Sequence, residues 1–254
     1  MRGRLPWAAV AALSGVLLAA CSNNGQLHRK ATPAQMAATN IQLAIEYMKL
    51  NKLSNAREFV DRAIKEDPGN ANVQFTAGLV YERLEQMPMA EKSYAAAARL
   101  GKDDPNIQNN YAGFLCRTGK AAAGEKLFTE VARNPQYQTP EVALLNAGVC
   151  VRNTGNMLDA QRYFNRALAI RPNMPEALLQ LGNVAIDQGD GAEALAYVQR
   201  FLATNAATPD ILWLGFRAQR KLGDSTAAAG FARRVQTEFP ESEQAQLMRS
   251  GADR

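Results

Sequence analysis

The residues able to do chemistry in this chain are few, and their numbers narrow what it can do. A single histidine, His28, stands in a polar stretch near the start. One imidazole cannot supply a histidine acid-base pair or a histidine metal cluster, and in a tether it cannot complete a serine triad. No glycine-rich phosphate loop or dinucleotide fingerprint follows any apolar run. Glu82 and Glu85 fit exposed helix positions better than a catalytic carboxylate pair. The chain is therefore expected to be no enzyme and to need no cofactor, metal or small-molecule substrate. Thiol chemistry is what remains: Cys21, Cys116 and Cys150.

Cys21 ends the run Leu18-Ala19-Ala20-Cys21, behind Arg2, Arg4 and an apolar stretch over residues 7–18. At ~12 residues that stretch is too short to span a bilayer and reads as a secretory signal over residues 1–20. Leu18 is too large for an ordinary signal-peptidase site, whereas leucine, two small residues and cysteine resembles the lipobox of bacterial lipoproteins. That resemblance implies cleavage before Cys21 and acylation of its sulfur and amine. Each buried methylene contributes about 0.8 kcal/mol, so two or three chains hold a protein stably where one does not. Ser22, in place of the aspartate associated with inner-membrane retention, points to the periplasmic face of the outer membrane. Residues 21–36 are then a lipidated N-terminus and flexible tether.

The compartment is oxidising, so Cys116 and Cys150 form an even pair in which a disulfide is permitted. Two small buried thiols filling the space between helices are the alternative. The two differ by two positions in the repeat frame described next, so the choice turns on whether their Cα atoms come within ~7 Å.

A small residue recurs at Ala56, Ala90, Gly124, Ala160, Ala194 and Ala228, and a second series runs twelve places earlier at Ala44, Gly78, Ala112, Gly148, Gly182 and Phe216. Two small positions in about 34 residues mean two helices crossing closely, and this is the tetratricopeptide period. Four places after the first series come Val60, Tyr94, Phe128, Phe164, Val198 and the smaller Ala232. Between the series lie Asn51, Glu85, Gly119, Gly155, Gly189 and Gly223, where a left-handed residue would end each first helix. The frame predicts an all-α superhelical solenoid of six helix-turn-helix repeats over 37–70, 71–104, 105–138, 141–174, 175–208 and 209–242. Residues 243–254 form a short C-terminal cap, and a longer connection at 134–140 carries a two-residue slip. Phe216 breaks the small series with Gly215 one place early, so the sixth crossing is expected to be looser.

Without chemistry, function must come from the concave face, which the first helix of each repeat lines in this architecture. Ile41, Ile45, Met48, Phe75 and Leu79 form an apolar strip in the first two repeats, beside Lys49, Glu82 and Arg83. Apolar residues at i and i+4 on adjacent helices suit a docked peptide, although Ile41 and Phe75 equally suit packing between helices. The sixth repeat offers Trp213, Arg217, Arg220 and Lys221, with burial of Trp213 and Phe216 against the terminal helix as the alternative. Removing Arg2 and Arg4 with the signal lowers the net charge from +5 to +3, and no basic run with interleaved aromatics argues for nucleic acid.

The lipobox with six repeats, together with Asn109-Asn110-Tyr111-Ala112-Gly113-Phe114-Leu115-Cys116, Thr139-Pro140-Glu141, Asn146-Ala147-Gly148-Val149-Cys150 and Leu212-Trp213-Leu214-Gly215, resembles the type IV pilus biogenesis and stability lipoproteins called PilF or PilW. The resemblance implies an outer-membrane pilotin that binds a pilus secretin subunit and promotes its localisation and multimerisation. It also implies that the secretin-binding surface lies toward the first repeats. A general periplasmic scaffold for outer-membrane protein assembly or peptidoglycan enzymes is the competing class, since such lipoproteins share the lipobox and the repeats.

Overall fold

The small-residue series lets thirteen helices pack in pairs in the computed structural model, which describes residues 30–250. The signal over 1–20, Cys21 and His28 lie outside those residues. The pairs are α1 (Pro33–Lys49) with α2 (Leu53–Glu66), α3 (Ala71–Arg83) with α4 (Met87–Leu100), and α5 (Pro105–Arg117) with α6 (Ala121–Arg133). They continue as α7 (Pro140–Arg152) with α8 (Met157–Ile170), α9 (Pro175–Asp187) with α10 (Gly191–Thr204), and α11 (Pro209–Lys221) with α12 (Ser225–Glu238). The last helix, α13 (Glu243–Ser250), packs against α11 and α12 and buries Ala245. The architecture is the expected all-α tetratricopeptide solenoid.

The crossings are as tight as the residue types require. A Cβ placed on Gly78 would fall 2.8 Å from a Tyr94 ring carbon, and one on Gly148 would run into the Phe164 ring. The ring can lie on the backbone only because glycine has nothing there. Asn51 and Glu85 adopt φ of 55° and 58° and Gly119, Gly155, Gly189 and Gly223 adopt φ of 80–87°, so every repeat turns through the left-handed region. Only the last four positions do so with the residue that pays no steric penalty.

Two expectations need correcting. The first helix begins at Pro33 and not at 37, because Thr32 accepts from the Gln35 amide and Gln35 Oε1 accepts from the Thr32 amide at 2.9 Å. This reciprocal capping box, with proline at the first helical position, adds a turn that the polar composition hides. In repeat six the close approach is made by Gly215 against Phe231, one place earlier than the small series, and not by Phe216 against Ala232. A Cβ on Gly215 would fall 2.5 Å from the Phe231 ring, so that crossing is no looser than the one at Gly78. Phe216, too large for the crossing, turns to stack on Trp213 at 5.3 Å.

The core divides along the solenoid. One cluster runs through repeats four to six, from Leu144 and Phe164 to Val235. Another joins repeats one and two around Val60, Ala77 and Tyr94, and reaches Phe114. Between them a smaller cluster links repeats three and four around Ala112, Phe128, Val131 and Ala147.

Candidate partner-binding groove

Consecutive first helices touch one another, α1 with α3, α5 with α7, α7 with α9 and α9 with α11, whereas the second helices lean mainly on first helices. The first-helix row is therefore the inner wall of the curve.

At its N-terminal end all five residues of the apolar strip are half-buried. Met48, Phe75 and Leu79 rest on the Val60, Ala77 and Tyr94 core, with the Phe75 ring edge-on to Tyr94 at 6.1 Å. Ile41 packs instead into a separate small cluster with Ala37, Ala63 and Val73. Ile45 is half-buried on the same helix as Met48, one turn before it. Structure thus brings Met48, Phe75 and Leu79 together on one core surface and gives Ile41 a packing role. The charges alongside are engaged: Lys49 with Glu46 at 2.8 Å, Arg83 with Asn51 at 3.2 Å, and Glu82 with both the Tyr94 hydroxyl at 2.7 Å and Arg117 Nε at 2.8 Å.

Midway, α5 and α7 are joined by a disulfide between Cys116 and Cys150, whose Cα atoms are 5.5 Å apart. A Cβ on Gly124 would strike the Cys116 sulfur, so α6 also closes on this bond. Beside the disulfide lies an open cavity of about 280 Å³ bordered by Asn109, Gly113, Asn146 and Asn153. The Asn146 amide donates to Asn109 Oδ1 at 3.5 Å, the outer limit of a hydrogen bond. The sequence gives no sign of this recess, because its walls come from two repeats joined by the irregular 134–140 connection.

At the C-terminal end Arg152 donates to Asp187 at 2.7 Å and to Gln180 at 3.2 Å, and Arg217 approaches the other Asp187 oxygen at 3.8 Å. One carboxylate thereby ties repeats four, five and six. Trp213 is half-buried, Phe216 is buried, and the Arg220 guanidinium lies over the Phe216 ring at 5.7 Å. Of the aromatic pair only Phe216 is buried, and both Arg220 and Lys221 stay exposed. Among the described residues no group of three or more metal-ligating side chains gathers.

Tyrosine hydroxyls tie several helices together. Tyr81 donates to Asp61 at 2.5 Å and Tyr163 to Glu125 at 2.7 Å, in addition to the Tyr94–Glu82 bond, while Tyr197 donates to Glu193 at 3.2 Å within α10. Burial, then the adjoining carboxylate, raises all four above the usual tyrosine range, and Tyr163 is pushed up to about 12. The unfolded chain would lose these protons near pH 10. The folded chain keeps them, so the stability they contribute is complete below pH 10 and declines as pH rises above it. In an alkaline titration, Tyr81, Tyr94, Tyr163 and Tyr197 should be missing from the near-ultraviolet rise around pH 10 and appear above it, as the helices melt. Release of these four around pH 10 before any loss of helix would contradict the geometry.

Comparison with known proteins extends this picture. Tetratricopeptide-repeat profiles match residues 41–106, 154–219 and 211–242. The crystal structure of PilW, described as a widely conserved type IV pilus biogenesis factor, superimposes with a TM-score of 0.73 at 30% identity, covering 84% of this chain and 98% of that one. The type IV pilus assembly protein PilF of Pseudomonas aeruginosa is 21% identical over 202 residues, 80% of each chain. A solved structure of Pseudomonas aeruginosa PilF shares the fold with a TM-score of 0.68 at 20% identity, covering 86% of this chain and 99% of that one.

Proposed function

The chain belongs to the PilF/PilW family of tetratricopeptide type IV pilus biogenesis factors, and from that membership we propose that it is a non-catalytic pilotin, anchored in the outer membrane through acylated Cys21. The observation that carries the reading is the 30% identity with a pilus biogenesis factor, over 84% of this chain and 98% of that one. The partner is a pilus secretin subunit, and the strip of Ile45, Met48, Phe75 and Leu79 is the surface that takes it. Half-buried apolar side chains fixed on a packed core suit this task, because little side-chain entropy is left to lose on binding. Lipoprotein sorting carries the anchored protein to the outer membrane with the secretin attached. Confining both to one surface raises their effective concentration without any new contact.

The test is capture of the cognate secretin from outer-membrane extract by the mature protein, wild type against an Ile45→Asp/Leu79→Asp double variant whose helicity is checked by circular dichroism. Wild type should retain the secretin, and the folded double variant should lose it by roughly tenfold or more, as expected where two apolar contacts become desolvated charges. Equal capture by both moves the binding surface elsewhere on the molecule. Wild type that captures no secretin, beside a positive control, sinks the pilotin reading in favour of a general envelope scaffold.

A further inference from the structure

The two ends of the solenoid are finished differently. A repeat array needs a terminal element with a polar outer face. At the C-terminal end α13 supplies a cover. At the N-terminal end α1 is the last element among the described residues, and its outward side carries Met36, Leu43 and the C-cap Leu50, 39%, 37% and 64% exposed, interleaved with exposed Thr39 and Glu46. Spaced seven apart, they fall within a narrow sector of the helix and make a strip roughly 20 Å long at 1.5 Å per residue. Leu43 and the groove residue Ile45 stand about 200° apart around the helix, so this strip and the concave surface lie on opposite sides of α1. Lys30 stands at one end of the strip and Lys49 and Lys52 at the other, and Glu46, the only acidic residue in α1, is paired with Lys49.

What covers this face follows from where the chain leads. Ten residues lie between Cys21 and the helix cap at Thr32, and their eleven steps of at most ~3.6 Å reach no more than about 40 Å. We infer that α1 lies on the phospholipid surface through Met36, Leu43 and Leu50, with the lysines over anionic headgroups and the groove side of α1 turned away from the membrane. This rests on the acylation of Cys21 in the reading above. A strip of three residues would bind lipid feebly by itself, but a leash this short keeps it at high local concentration, so a weak contact is enough. The contact fixes the direction of the groove, which the lipid alone leaves free to swing.

The experiment uses the mature lipidated protein in vesicles of phosphatidylethanolamine with a quarter phosphatidylglycerol, prepared with and without bromine on the acyl chains. Three variants, Leu43→Trp, Leu50→Trp and, as a distant exposed control on repeat four, Ile170→Trp, are floated with the vesicles and their tryptophan emission is compared with wild type, which carries Trp213 in repeat six. Side chains buried at the headgroup boundary should lose added emission roughly two-fold to the brominated lipid at positions 43 and 50, and none at position 170. Protein that floats with positions 43 and 50 unquenched overturns the inference and leaves the anchor intact. Equal quenching at position 170 also overturns it, since the chain would then be immersed without orientation. Protein that does not float removes the anchor and this contact with it.

Discussion

Phe164→Ala is expected to lower the unfolding free energy by about 3–5 kcal/mol, the range for deleting a fully buried aromatic ring. The ring is 0% exposed and rests on the backbone of Gly148, where no side chain can swing in to fill the space. Its loss leaves a cavity at the crossing of α7 and α8, inside the cluster that runs unbroken to Val235. Urea unfolding followed by circular dichroism measures the change. Phe231→Ala is the informative comparison: its ring makes the same approach to Gly215, but it is only half-buried and belongs to the last repeat. It should cost less than about 3 kcal/mol. Equal losses at the two sites would mean that burial does not set the cost of these crossings.

Removing the disulfide by Cys116→Ala/Cys150→Ala should cost about 3–4 kcal/mol, the chain-entropy value for a closed loop of this size, the two cysteines being 34 residues apart. The middle cluster is smaller than the two that flank it, and the bond crosses it where the longest connection between repeats leaves the chain least constrained. Stability in a solenoid is close to a sum of neighbouring interfaces, so the loss should be local. Hydrogen exchange should accelerate in α5, α6 and α7 and change little in α10 to α12. An even acceleration over all six repeats would show instead that the array unfolds as one cooperative unit.

Much of the architecture was readable because it depends on residue size repeated at a fixed interval. Ala56, Ala90, Ala160 and Ala194 are all 0% exposed, as helices crossing at those points demand. The left-handed turns were readable for a related reason, since glycine at four of six equivalent positions reveals a conformation that Asn51 and Glu85 also adopt. What escaped was set by interactions that leave no periodic trace. The start of α1 is fixed by two hydrogen bonds between Thr32 and Gln35 within an otherwise polar stretch. The sixth crossing uses Gly215 because a ring at 231 offered a better fit one residue out of register.

The groove was legible in direction but not in degree. The resemblance to other tetratricopeptide repeats implies which positions of a first helix face inward, and the period carries them onto this chain, so Ile45, Met48, Phe75 and Leu79 could be named. How far each is covered depends on the neighbouring repeat, and there Ile41 proved to serve the Ala37, Ala63 and Val73 cluster. The separation of Cys116 and Cys150 depends likewise on how α7 is set against α5 across residues 134–140, which no spacing along the chain determines. The recess beside them, walled by Asn109 and Asn146, has the same origin.

The bond between α5 and α7 also governs how the chain would carry a pull. Drawn out from its two ends, it cannot release the segment between Cys116 and Cys150 while the sulfurs stay joined. At 3.3–3.6 Å per residue that segment hides roughly 110–120 Å of contour length. Load entering from the N-terminal end passes straight from Cys116 in α5 to Cys150 near the end of α7 across a covalent link, and α6 with the start of α7 hangs beside the line of force without bearing any of it.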